Sequence, residues 1–195
     1  MPTRQEAHQL LERWVDNPGL RNHMYAVEAA MRWYARKQGA DEEQWGLAGL
    51  LHDLDWEKHP EEHPLRAVDE LRSLGYAEDV LHAILAHRAD YTRVEPETPL
   101  DRALLACDEL TGLITATAYM RPTGIDDLTA KSVKKKMKDP AFARGVNRDE
   151  VKHGADMIGV DLDQHIDNVI DAMRGIATEL GLTTQQIASR SASAP

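Results

Sequence analysis

Nine histidines are spread along the 195 residues, and three of them fall on helical faces whose other members are apolar. His23 shares a stripe with Val27, Ala30 and Tyr34; His52 follows Trp45, Ala48 and Leu51; His87 shares a face with Val80 and Ile84. An inward imidazole is either a hydrogen-bonded core residue or a metal ligand, and a single one is more often the former. Two carboxylates shift the balance. Asp53 directly follows His52, and Asp108 sits beside Leu104, Cys107 and Thr111 on a stretch that is apolar on that side. A buried acid is costly without a partner. One divalent cation, by contrast, takes up several carboxylates and completes its shell with neutral imidazoles. A single ion would account for His23, His52, Asp53 and Asp108. The adjacent His52 and Asp53 project about a quarter turn apart. Both therefore reach one ion only near the end of their helix, an end that Asp55 and Pro60 put close by.

Five of the remaining six histidines are weaker ligands. His59 lies in a Pro-containing loop, His82 falls opposite the apolar face of its helix, and His8, His153 and His165 have polar neighbours and are expected at the surface.

These side chains must be carried by helices. Hydrophobic residues make up 42% of the chain and aromatics only 5%, with β-branched residues sparse, which favours helix over sheet. Apolar positions recur at spacings of three and four, without sustained alternation. An all-α, single-domain helical bundle is expected, with helices near 3–15, 20–38, 41–54, 64–74, 77–88, 99–120, 128–138, 147–159 and 162–180. Asn17-Pro18-Gly19 breaks the first helix, Gly39 ends the second, and Gly75 ends the one that starts at Pro64. Thr98-Pro99-Leu100-Asp101 reads as an N-cap, a first-turn proline and a capping acid, so Asp101 is explained without chemistry. The single domain is expected over 1–182, and residues 183–195 as a polar, flexible tail.

The amino-terminal stretch MPTRQEAHQLLERW is charged throughout, and no window approaches a membrane span. With one cysteine, Cys107, no internal disulfide can form. A soluble, cytoplasmic protein is expected. A formal net charge of -10 argues against binding a nucleic acid polymer. Between Lys131 and Lys152, however, Lys131, Lys134, Lys135, Lys136, Lys138, Arg144, Arg148 and Lys152 outnumber Asp139, Asp149 and Glu150. That run is either a solvated helix face or a patch that meets an anion.

The ordered set of His23, then AGLLHD at Ala48 to Asp53, then DEL at Asp108 to Leu110 resembles the HD phosphohydrolase superfamily over roughly 22–115. The bare His-Asp pair carries no weight, whereas the ordered quartet is fairly specific. DELTGLI at Asp108 to Ile114, with the lysine run after it, is similar to a group of predicted HD hydrolases. The resemblance implies an HD-type domain with its core near 20–120 and accessory helices over 121–182. It also implies His63 and His87 as ligands of a second ion, with Asp53 bridging.

Two branches fit less well. Arg88 stands where the cyclic dinucleotide phosphodiesterases have another histidine, and Leu54-Asp55-Trp56 stands where they have Ile-Gly-Lys. Trp56 also replaces the glutamate that the mononuclear deoxynucleotidases place three residues after the aspartate. The function implied is hydrolysis of a small phosphate ester or nucleotide. One divalent ion or two, drawn from Mn, Fe, Co, Ni, Zn and Mg, would supply a hydroxide, and two are favoured. Asp55 or Glu57 would move protons, and Arg88, Arg121 or Lys134 would grip phosphate. Their bland alternatives are a solvated loop and helix-end cations. Two other functions compete: a dinuclear-iron oxygenase of the HD type, and a noncatalytic ligand-binding or signalling domain stabilised by its ion. The sequence leaves substrate and oligomeric state open.

Overall fold

The computed structural model describes residues 2–193, and every regular element among them is a helix. Two compact units form, one through Leu105 and one from Ala106 onward. The first contains α1 (Arg4–Trp14), α2 (Pro18–Gln38), α3 (Glu42–Leu51), a 3-10 turn (Pro60–Glu62), α4 (Leu65–Ser73), α5 (Glu78–Ala86) and α6 (Ala89–Thr92). It also holds the start of α7 (Pro99–Tyr119). The second contains the rest of α7, then α8 (Ala130–Met137), α9 (Arg148–Met157), α10 (Leu162–Arg174), α11 (Ala177–Leu180) and α12 (Thr184–Ser193). No described helix is long and apolar enough to cross a membrane.

Local chemistry sets where the first unit's helices begin. Thr3 and Glu6 cap α1 reciprocally. Asn17 Oδ1 accepts from the Gly19 and Leu20 N–H groups, and Pro18 takes the first helical position. The helix therefore starts two residues before the expected 20. Gly39, at φ 65°, ends it. Asp41 caps α3 through the Glu43 and Gln44 N–H groups. Helices α2 and α3 then pack closely because Gly49 has no side chain: a Cβ there would stand 2.9 Å from the Glu28 backbone nitrogen. Leu10, Met24, Met31, Leu47, Leu50, Leu51, Leu71 and Ile84 fill the core around this pair.

Several expectations change. Helix α3 stops at Leu51 instead of 54, and the turns after it carry Asp53 and Asp55 while Leu54 still packs fully inside. The expected 162–180 helix is interrupted at Gly175 and resumes as α11. The tail expected to be flexible from 183 forms α12 as far as Ser193. Thr183 and Gln186 make a reciprocal cap, and Ile187 is 5% exposed. Residues 194–195 of that tail lie outside the described residues. His165, expected at the surface, is fully buried and donates Nε2–H to the Ala106 carbonyl at 2.9 Å. Its helical neighbours are the apolar positions Ile166, Val169 and Ile170, and these outweigh the polar residues beside it in sequence. Burial holds its pKa below the ordinary histidine value.

Candidate metal centre

Three of the first unit's ligand-type side chains sit where helices end, while His23 lies within α2. His52 is the C-cap of α3, His87 the C-cap of α5, and His63 the residue after the 3-10 turn. A helix C-terminus leaves carbonyls unpaired and carries partial negative charge, so it offers acceptors to a side chain and favours a cation nearby. His52 Nδ1 lies 2.8 Å from the Gly49 carbonyl, and His87 Nδ1 lies 2.5 Å from that of Ile84. A carbonyl only accepts, so each Nδ1 carries the proton. His63 Nδ1 donates in the same way to Asp55 Oδ1 at 2.7 Å. All three rings are thereby fixed with Nε2 bearing a lone pair.

Two of those lone pairs point at each other, and the third faces the His23 ring. His63 Nε2 and His87 Nε2 are 3.1 Å apart, and His23 Nε2 and His52 Nε2 are 3.2 Å apart. The His63 and His87 acceptors cannot face each other at that distance unless a proton or a cation stands with them, whereas a His23 Nε2–H can donate to His52. Asp53 indicates a metal cation. Its Oδ1 lies 3.4 Å from His63 Nε2 and 3.9 Å from His87 Nε2, and its Oδ2 lies 3.6 Å from His52 Nε2 and 3.8 Å from His23 Nε2. Donors about 2.1 Å from one ion stand about 3 Å from each other. The Asp53, His63 and His87 donors all lie within 4.8 Å of one another. The donor set therefore fits divalent metal, with one carboxylate oxygen toward each histidine pair. The His52 side chain has no exposure, and those of His63 and His87 have 1% and 2%, while His23 and Asp53 retain 22% and 16%. Solvent reaches the centre beside His23 and Asp53.

The other candidates stand as follows. Asp55 is fully buried, with Oδ1 on His63 and Oδ2 accepting the Ala67 N–H at 2.9 Å. Glu57 Oε2 accepts the Asn17 and Asp16 N–H groups at 3.0 and 2.8 Å, and these bonds hold its pKa below the carboxylate norm. Arg88, next to His87 in sequence, forks onto Asp90 at 3.1 and 3.2 Å. His82 pairs with the α7 capping acid Asp101 at 3.0 Å, and Asp101 Oδ2 also accepts the Thr98 N–H at 2.8 Å. Asp108, Arg121 and Lys134 belong to the second unit. There Arg121 pairs with Asp127 at 2.6 Å, Lys134 pairs with Asp163, and Lys136 covers the Phe142 ring.

Sequence reasoning missed what orients the rings. The carbonyls of Gly49 and Ile84 each lie three residues before a histidine at a helix end, and that spacing was the available signal. The HD domain family model matches residues 20–113. No curated protein matches the chain.

Proposed function

We propose that this chain, which through residues 20–113 belongs to the HD-domain superfamily of metal-dependent phosphohydrolases, hydrolyses a small phosphate ester at a two-ion centre. Asp53 carries the proposal, because its two oxygens face two separate histidine pairs. His63, His87 and Asp53 would hold one ion. His23, His52 and Asp53 would hold the other, with Asp108 assigned to it from its place in the family motif. Bound divalent ions supply Lewis acidity to phosphoryl oxygens and make a nucleophilic water available near neutral pH.

The chain's own residues prepare this site. Asp55 and the Gly49 and Ile84 carbonyls keep three Nε2 lone pairs turned inward. We assign Asp55 as a positioning residue, since both oxygens are engaged in a dry environment, and Glu57 as the fastening of its turn. Arg88 is the phosphate-gripping candidate in the first unit, able to exchange Asp90 for a phosphoryl group in a bidentate contact. Arg121 and Lys134 are candidates for the same task in the second.

The test is metal content together with turnover. Protein purified without chelator is expected to hold two divalent ions per chain by plasma mass spectrometry and to hydrolyse members of a phosphomonoester panel. Asp53→Ala and His52→Ala should each abolish that activity while circular dichroism stays helical. Two irons with oxygen consumption would favour oxygen chemistry instead, because the histidine-rich donor set also suits iron. Persistent absence of any ion after supplementation would discard the proposal.

A further inference from the structure

Trp56 is left 43% exposed on the turn that follows Asp53. Its indole meets the His63 ring edge to face, with centroids 5.2 Å apart and planes at 83°. With Asn17, Gly19, Leu20, Glu57 and Pro60 it lines a cavity of about 560 Å³, a volume suited to a small organic ligand. One wall of the cavity meets the histidines: Trp56 touches His63, and on the other wall Gly19 stands four residues before His23 in α2. The polar groups of the walls are largely engaged already. Asn17 Oδ1 caps Gly19 and Leu20, and Glu57 Oε2 holds the Asp16 and Asn17 N–H groups. What the walls chiefly offer is the indole, Leu20 and Pro60.

We propose that Trp56 is a stacking platform for a flat ring of the substrate. The preferred substrate is then an organic phosphate bearing a planar aromatic group, a nucleoside monophosphate or an aryl phosphate, over a sugar phosphate. The phosphate part of this inference rests on the phosphohydrolase proposal, and the ring part does not. An aromatic side chain accepts any flat ring on its π-face, so the platform selects for planarity while tolerating different rings.

Calorimetric titration in chelator-containing buffer, where the proposed hydrolysis cannot run, of adenosine monophosphate, phenyl phosphate and ribose 5-phosphate tests it, using wild type, Trp56→Leu and Trp56→Phe. The exposed position lets both variants fold, which circular dichroism checks. The two ring-bearing phosphates are expected to bind wild type about tenfold more tightly than ribose 5-phosphate. Trp56→Leu should erase that advantage and Trp56→Phe should restore most of it. Tighter binding of adenosine monophosphate than of phenyl phosphate would identify a nucleoside, and parity would identify the ring alone. Equal affinity of wild type for adenosine monophosphate and ribose 5-phosphate, or an undiminished preference in Trp56→Leu, overturns the inference. Adenosine, which has no phosphate, should bind wild type but not Trp56→Leu in the same buffer. That arm separates failure of the platform from failure of the metal chemistry.

Discussion

Asp55 accepts two hydrogen bonds inside the first unit, from His63 Nδ1 at 2.7 Å and from the Ala67 N–H at 2.9 Å. An asparagine there has one acceptor oxygen, so one buried donor must lose its partner. Asp55→Asn is expected to weaken metal binding about 10- to 100-fold, read by calorimetric titration of metal-free protein with manganese. Unchanged affinity would remove Asp55 from the positioning role. His165 gives a second prediction at this scale. Burial keeps its pKa below the ordinary value of about 6.5, so the unfolded chain binds the proton first as pH falls. The contribution of His165 to stability is full above about pH 6.5 and is lost below it, toward the folded-state pKa. Urea midpoints should therefore drop less between pH 7 and pH 5 in His165→Gln than in wild type. Much of the site was legible at this scale. Helical spacing exposes His23, His52 and His87, and His63 was reachable through its place in a known motif. Two of the Nδ1 acceptors are backbone carbonyls, which no residue type announces, so only the three-residue spacing from Gly49 and Ile84 to a histidine at a helix end pointed to them.

Helices α2 and α3 meet at Gly49, where a Cβ would stand 2.9 Å from both the Glu28 backbone nitrogen and Met31 Cγ. Gly49→Ala gains up to about 1 kcal/mol of helix propensity but forces the two backbones apart, an overpacking cost of about 1–3 kcal/mol. It also moves the carbonyl that orients His52. We expect lower stability in urea together with weaker metal binding. Gly46→Ala should cost less, since the nearest atoms its Cβ would meet belong to the Arg32 side chain, which can shift where a backbone cannot. Element identity was readable wherever caps and apolar period agreed, as at Thr98 to Asp101 for α7. It failed where a local cap was overlooked, as at Thr183 and Gln186, and where Gly175 divided one apolar stripe between α10 and α11. The end of α3 at Leu51 was hidden because Leu54 keeps the apolar period after the helix has stopped.

Across the whole molecule, charge and fluorescence are divided between the units. The lysine run from Lys131 belongs to the second unit, while the formal net charge of the chain is -10. All four tryptophans, Trp14, Trp33, Trp45 and Trp56, lie in the first. Indole emission therefore reports on the unit that carries the histidines, whereas far-ultraviolet circular dichroism reports on both. Metal that binds only the folded state stabilises it by mass action, about 2.7 kcal/mol at a hundredfold excess over Kd. Adding manganese or magnesium to chelator-treated protein is expected to raise the urea midpoint seen by fluorescence. A midpoint indifferent to metal would contradict the assignment of the five first-unit ligands.

Glu57 holds the Asp16 and Asn17 N–H groups at 2.8 and 3.0 Å, and so fastens the turn leaving α3 to the chain entering α2. These are the two sides of the cavity beneath Trp56. Fastened in this way, the two sides are tied together before any ligand arrives, so a ring that docks on Trp56 has no loop to order first.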